Sequence, residues 1–204
     1  MQNWRDVAQL IWNETLDLIF PPQCHHCGRV DTHFCDGCIA VLKTLSVTPI
    51  ESSGIAPLYN TLSTGKHEAL LQASVQVLKY NGQQSIGEVF ADRILATLAT
   101  TMWTIDTVVP VPLHTSRFQE RGYNQAESIS HHVATKGDFV HAPDALTRIT
   151  QTRSQVGLSA RERQHNVQGA FTGDATQLQG QQILLIDDVK TTGATLAACA
   201  QALL

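Results

Sequence analysis

The spacing of apolar residues predicts a series of helices along the chain. Residues 3–19 place Trp4, Ile11 and Leu18 at helical intervals and predict an amphipathic helix, which Pro21 ends. Further helices are predicted by the patterns at residues 39–46, 67–79, 85–101 and 125–134. The turn signal Asn81-Gly82 separates the second of these four helices from the third.

Two apolar runs predict strands. Residues 183–186 are four aliphatic side chains in succession, which is typical of a strand buried on both faces in the centre of a parallel sheet. Residues 106–112 predict a second buried strand, which two prolines close. Shorter strands are predicted at residues 55–59, 139–141 and 145–149, and residues 49–54 are expected to form a linker. Together these elements indicate an α/β fold.

Composition places the chain among globular proteins. Of its 204 residues, 43% are hydrophobic and 16% are charged, and the formal net charge of −4 does not favour nucleic-acid binding. Half of the 14 lysines and arginines nevertheless lie between Arg117 and Arg163. No apolar run is long enough to span a membrane, and the acidic residues near the start do not fit a signal peptide. A cytoplasmic protein is therefore expected.

Two Cys-x-x-Cys pairs follow the first predicted helix: Cys24 with Cys27, and Cys35 with Cys38. Each pair can turn two thiolates toward one point, and four thiolates in a tetrahedron form a structural zinc site. Because four cysteines fill the coordination shell, such a zinc ion would stabilise the fold and perform no chemistry. A redox pair and unbound thiols are the alternatives, and three nearby histidines offer substitute ligands: His25, His26 and His33.

The strand at residues 183–186 runs directly into two carboxylates and a small polar loop. Asp187 and Asp188 lie at the strand's carboxyl end, and Thr191 to Thr195 lead into a predicted helix. The first N–H groups of a helix have no internal partner and attract an anion such as phosphate. Carboxylates beside a phosphate would repel it unless they accept from sugar hydroxyls or hold a divalent cation. The stretch therefore predicts a site for a phosphorylated sugar, and a strand, turn and helix without a ligand is the alternative.

Basic residues mark two further loops. Arg117 and Arg121 follow the strand at residues 106–112, at a junction where an anion can bind. An ordinary loop with solvated arginines is the alternative there. Residues 151–163 are too long and too polar for a tight connection. Their three arginines favour a lid over an active site: Arg153, Arg161 and Arg163.

The stretch from Ile183 to Thr195 resembles the signature of the type I phosphoribosyltransferases. The resemblance implies that Asp187 and Asp188 are the catalytic acids, contacting the ribose hydroxyls of phosphoribosyl pyrophosphate (PRPP). It implies that the 5-phosphate lies on the segment that follows: Lys190, Thr191, Thr192, Gly193, Ala194 and Thr195. It further implies Mg²⁺ bound with PRPP, and pyrophosphate held near the basic loops: Arg117, Arg121, Arg153, Arg161 and Arg163.

The order of motifs along the chain is similar to that of the ComF family (competence protein F). The shared motifs are the two Cys-x-x-Cys pairs, Leu78-Lys79-Tyr80, Val109-Pro110-Val111-Pro112-Leu113, Arg121-Gly122-Tyr123-Asn124-Gln125, the arginine-rich loop and the stretch at Asp187-Asp188. Residues 1–20 are expected to form the N-terminal amphipathic helix. The resemblance, which runs from about Pro21 to the end, implies a zinc module at 21–48 and a type I phosphoribosyltransferase domain at 55–204. That fold is an open, mostly parallel sheet flanked by helices, which usually continues with another strand. Its final strand or strands are therefore expected to be missing after Leu204. The family also implies a link to uptake of transforming DNA, with single-stranded DNA and the uptake machinery as partners.

Three functions stay open from the sequence. The chain is an active phosphoribosyltransferase with an unnamed acceptor, a PRPP-binding sensor or accessory factor, or a module that grips single-stranded DNA. Aromatic residues make up only 6% of the chain, and few lie near the basic region, notably Phe118 and Tyr123. Since bases stack on aromatic side chains, this scarcity favours the first two functions. No residue stands out as a general base or as the reader of a nucleobase.

Overall fold

The computed structural model describes residues 21–53, 56–150, 162, 166–174, 176 and 178–204. The predicted helix at residues 3–19 and, apart from Glu162, the predicted lid at 151–163 lie outside the described residues. In chain order the described elements are α1 (Asp36–Thr44), β1 (Ile50–Ser53), β2 (Asn60–Ser63), α2 (Ala69–Tyr80), α3 (Ser85–Leu98), β3 (Thr107–Pro110), α4 (Thr115–Arg121), α5 (Gln125–Gly137), β4 (Val140–His141), a 3₁₀ turn (Pro143–Ala145), β5 (Leu146–Arg148), β6 (Phe171–Gly173), β7 (Ile183–Ile186) and α6 (Ala194–Ala202).

A parallel sheet in the order β4-β3-β7 forms the centre of the fold. Successive side chains of its strands point to opposite faces. Val108 and Ile186 pack into a core cluster with α2, α3 and α5 on one face. Val109 and Leu185 pack into a second cluster with β5, β6 and α6 on the other. The predicted α/β class with a parallel sheet is therefore confirmed.

Strand β7 departs from the prediction of a strand buried on both faces. Within the described ranges, β3 is its one paired neighbour, and Ile183, Leu184 and Leu185 are only half-buried. A cavity of about 710 Å³ runs along the strand, between it and the apolar side chains of α2 and α3. The sequence pattern could not foresee this, because an aliphatic side chain suits a cavity wall as well as a covered face.

An antiparallel hairpin stands where a linker at 49–54 and a strand at 55–59 are predicted. Strands β1 and β2 pair from Ile50 opposite Ser63 to Ser53 opposite Asn60, and residues 56–59 belong to the connection. The hydroxyls of Ser52 and Thr61 lie 2.6 Å apart across the pair. Most side chains of this hairpin are polar, so no apolar alternation marks its strands in the sequence.

Helix α4 occupies residues for which the sequence predicts a loop. The Nδ1 of His114 accepts a hydrogen bond from the Ser116 N–H at 3.3 Å, and Gly122 ends the helix with a φ of 80°. A left-handed φ of this kind favours glycine at a helix end. No residue of α4 is buried. Apolar spacing therefore gives no signal for this helix.

The cysteine region packs on the same core as the helices. Phe34 and Leu42 are buried in one cluster with residues of α2 and α3. Arg93 of α3 is also buried, and its guanidinium donates to the carbonyl of Leu45 at 2.7 Å and of Thr64 at 3.2 Å. The division into a zinc module that ends at residue 48 and a domain that begins at residue 55 stays a prediction. The hydrophobic core contains residues from both sides of this division.

None of the helices in the described part of the chain is long and apolar enough to cross a membrane.

Candidate functional site

The four cysteines converge on one point. The Sγ atoms of Cys24 and Cys38 lie 3.7 Å apart, those of Cys27 and Cys35 lie 3.6 Å apart, and all four lie within 4.8 Å of one another. A tetrahedral zinc with Zn–S bonds of about 2.3 Å requires sulfurs separated by about 3.8 Å. The cluster therefore has the spacing that a metal ion needs and is compatible with structural zinc. The neighbouring histidines do not belong to this group of close ligand atoms.

Local backbone structure prepares the cysteine cluster for a metal. The first pair lies on a turn in which the N–H of Gly28 donates to the carbonyl of Cys24 at 2.9 Å, and Gly28 has a φ of 74°. Cys35 precedes α1, and a hydrogen bond from the backbone of Cys38 lowers the pKa of the Cys35 thiol. Burial opposes ionisation of Cys24, but backbone N–H groups outweigh it and lower the pKa of this thiol to about 6. Burial raises the pKa of Cys38.

The predicted acid pair lies at the carboxyl end of β7. Asp187 is half-buried, and its Oδ1 accepts a hydrogen bond from the N–H of Asp188 at 2.9 Å. Burial, together with the charge of Asp188, raises the pKa of Asp187 to about 7. The pair lines the 710 Å³ cavity, whose wall also includes Trp103. A ligand at the acids therefore has open volume beside it.

Two cations that the sequence analysis did not assign compensate the acid pair. The Nζ of Lys79 lies 2.8 Å from Oδ2 of Asp188. Arg148 stacks over the ring of Phe171 at 5.3 Å, and its positive charge opposes the rise in the pKa of Asp187. Burial lowers the pKa of Arg148 itself. The sequence contains a signal for each of these cations. Lys79 lies in the Leu-Lys-Tyr motif, and Arg148 is the charged residue of the predicted strand at residues 145–149.

The predicted phosphate segment forms the turn into α6. Gly193 precedes the helix with a φ of 79°, which is why a glycine stands there, and the hydroxyl of Thr192 accepts from the N–H of Ala194 at 3.3 Å. A hollow of about 20 Å³ opens between Asp187 and Thr195, with Thr191 and Ala194 in its lining. The Nζ of Lys190 turns away to the hydroxyl of Ser52 at 2.6 Å. This bond connects the β1–β2 hairpin to the segment.

The arginines that are predicted to hold pyrophosphate lie in different parts of the chain and make different contacts. Arg117 is exposed and pairs with Glu120 at 2.6 Å. Arg121 donates to the side-chain oxygen of Gln125 at 2.9 Å and stacks over the ring of Tyr80 at 5.2 Å. This places Arg121 beside the carboxyl end of α2. The other three predicted residues lie outside the described ranges: Arg153, Arg161 and Arg163.

Comparison with known proteins decides the family. No family model matches the chain. Competence protein F of Haemophilus influenzae is 27% identical over 183 residues, which cover 86% of this chain and 75% of that protein. DNA utilization protein YhgH of Salmonella typhimurium is 31% identical over 153 residues, which cover 72% of this chain and 67% of the relative. The chain belongs to the ComF family. A further relative of this ComF protein, DNA utilization protein YhgH of Escherichia coli O157:H7, is 28% identical over 188 residues, covering 89% of this chain and 82% of its own length.

The cysteine cluster predicts that the ComF protein retains one zinc ion per chain through purification, because four sulfurs lie at tetrahedral spacing. Cys38→Ser is expected to lose the metal and to lower the melting temperature, as measured by elemental analysis and circular dichroism. Cys199→Ala removes a buried cysteine outside the cluster and is the control, with full metal content expected. A wild-type protein without metal, or one whose melting temperature is unchanged by a chelator, would contradict the assignment.

The raised pKa of Asp187 predicts a pH-dependent stability. The folded protein binds more protons than the unfolded chain between about pH 4 and pH 7, so its free energy of unfolding falls as the pH rises through that window. Asp187→Asn keeps the acceptor oxygen but cannot ionise. Its free energy of unfolding is expected to exceed that of the wild type at pH 8 and to match it near pH 4, measured by urea unfolding.

The exposed Asp138 offers a control for this measurement. Asp138→Asn should follow the wild-type dependence of stability on pH. If Asp187→Asn and wild type differ by the same amount at both pH values, Asp187 is not the titrating group.

Proposed function

We propose that this ComF protein binds PRPP or ribose 5-phosphate at the end of β7 and serves the use of DNA taken up by the cell. The observation that carries the proposal is the acid pair Asp187-Asp188, which runs without interruption into the glycine turn and first N–H groups of α6. Hydroxyl acceptors and an anion-binding helix start thus lie side by side, as a phosphorylated sugar requires. The names of the relatives support the link to competence and DNA utilization.

In this proposal the chain has the type I phosphoribosyltransferase fold over residues 55–204, preceded by the zinc module at 21–48 and a helix at 1–20. The parallel order of β3 and β7 supports it, because both strands then direct their carboxyl ends to the same edge of the sheet. Asp187 and Asp188 accept hydrogen bonds from the ribose hydroxyls. The segment from Lys190 to Thr195 holds the 5-phosphate.

Transfer of the ribosyl group would break the bond between C1 and pyrophosphate through an oxocarbenium-like state. Asp187 and Asp188 would favour the positive charge that develops on the sugar. The leaving pyrophosphate would be held by Arg117, Arg121 and the arginines of residues 151–163. Mg²⁺ bound with PRPP would offset part of its negative charge. If no acceptor is used, the same contacts make the protein a PRPP-binding accessory factor.

Binding is tested by a thermal shift with Mg-PRPP and with ribose 5-phosphate. The wild type is expected to melt several degrees higher in either ligand, since a ligand at 100 times its Kd stabilises the folded state by about 2.7 kcal/mol. Asp188→Asn should lose the shift, while Asp138→Asn should keep it. Equal wild-type melting temperatures with and without ligand would contradict sugar-phosphate binding. Release of pyrophosphate from PRPP separates a transferase from a binding protein.

A second candidate function, binding of single-stranded DNA, is supported by aromatic side chains beside the basic residues. Tyr80 is 66% exposed, Phe118 is 46% exposed, and Arg121 stacks on Tyr80. Exposed rings with a neighbouring guanidinium can stack on bases while cations contact phosphates. The sequence pattern understated this surface, because Arg121 meets Tyr80 only in the folded chain.

Fluorescence anisotropy with a single-stranded oligonucleotide tests this surface. Tyr80→Ala is expected to weaken binding roughly tenfold if one base stacks there, and affinity should fall as salt is raised. Tyr59→Ala is the control, since Tyr59 is 97% exposed and makes no cation–π contact among the described residues. Equal losses in both variants, or an affinity that ignores salt, would contradict the assignment of this surface.

A further inference from the structure

The ion pair between Lys79 and Asp188 differs from the other ion pairs of the described residues. Its two side chains are 21% and 14% exposed, whereas the partners of Arg117 and Lys136 are about half exposed. It joins the last turn of α2 to the residue that follows Asp187, over a distance of 2.8 Å. A partly buried pair is screened little by water, so removal of one partner leaves an uncompensated charge.

The backbone around Lys79 is fixed on both sides. The hydroxyl of Tyr123 donates to the carbonyl of Leu78, and Arg121 stacks over the ring of Tyr80 at 5.2 Å. Both contacts come from the Arg-Gly-Tyr-Asn-Gln segment, residues 121–125.

The same segment is anchored to the sheet. The side-chain amide of Asn124 donates to the carbonyl of Val111 at 3.0 Å, just after β3, and its oxygen accepts from the N–H of Ala126 at 3.1 Å. Because β3 pairs with β7, the chain of contacts returns to the strand that carries Asp188. These contacts form a frame that holds Lys79 in place beside the candidate site.

The frame fixes the direction of the Asp188 side chain. Oδ2 of Asp188 is occupied by Lys79, and its neighbour Asp187 accepts the Asp188 N–H. The charge of Lys79 also offsets two adjacent carboxylates that would otherwise repel a phosphate.

We propose that Lys79 is a positioning residue of the sugar-phosphate site, which orients Asp188 and offsets its charge so that the pair can accept ribose hydroxyls beside a phosphate. This inference rests on the proposed binding of PRPP or ribose 5-phosphate. Its effect on the ligand passes through Asp188. The Tyr123 hydroxyl and the Arg121–Tyr80 stack keep Lys79 in place.

A double-mutant cycle measured by isothermal titration with Mg-PRPP and ribose 5-phosphate tests the proposal. Lys79→Met is expected to weaken binding roughly tenfold, and Lys79→Arg to recover part of that loss, because a cation is restored. Asp188→Asn alone and the double variant Lys79→Met/Asp188→Asn should bind equally weakly, since Lys79 acts through Asp188. Lys136→Met is the matched control, because Lys136 pairs with Glu88 and Asp92 on the surface. This variant should bind both ligands with the affinity of the wild type.

The outcomes separate this role from the proposed function. A wild type that binds neither ligand contradicts sugar-phosphate binding, and the role of Lys79 falls with it. The role of Lys79 alone is contradicted if the wild type binds and Lys79→Met has the same affinity as the wild type. It is also contradicted if the double variant loses affinity by the product of the two single losses. Melting temperatures without ligand identify a misfolded variant, and in that case Lys79→Gln replaces Lys79→Met in the cycle.

Discussion

Two adjacent carboxylates cannot stay charged in a half-buried position without positive charge close by. Asp187 and Asp188 impose this constraint at the end of β7, and much of the surrounding structure answers it. Lys79 approaches from α2, Arg148 from β5, and the N–H groups at the start of α6 lie next in the chain. Compensation is incomplete for Asp187, whose pKa remains raised. A ligand that donates hydroxyls to this pair would complete the compensation, which is the physical reason to expect a sugar here.

The features that the sequence predicted correctly depend on residues close together in the chain. The spacing of Cys24, Cys27, Cys35 and Cys38 restricts where their sulfurs can meet, and the structure brings them within metal-binding distance. The acids and the glycine turn at Gly193 are likewise adjacent to β7, so their placement at its carboxyl end follows from the strand alone. Local spacing sufficed in both cases because a turn or a strand end fixes the geometry.

The features that were missed depend on contacts between distant segments or on polar elements. Lys79 and Arg148 meet the acids across 109 and 39 residues of chain respectively, as their numbers show. No periodicity in the sequence encodes such an encounter. The polar strand β1 and the exposed helix α4 lack apolar patterns, so the sequence predicts a linker and a loop there. The apolar run at residues 183–186 predicts more burial than β7 has, because a run of aliphatic residues does not reveal which neighbours cover the strand.

Arg93 connects the segment that carries the cysteine cluster to the β1–β2 hairpin. One buried guanidinium holds the carbonyl of Leu45, after the helix that carries Cys38, and the carbonyl of Thr64, after the hairpin that Lys190 contacts through Ser52. One side chain therefore connects the two segments, and any thermodynamic coupling between sites on them would be reciprocal. If the protein binds a sugar phosphate as proposed, a metal held by the cysteines would strengthen that binding by the same factor by which the sugar phosphate strengthens binding of the metal.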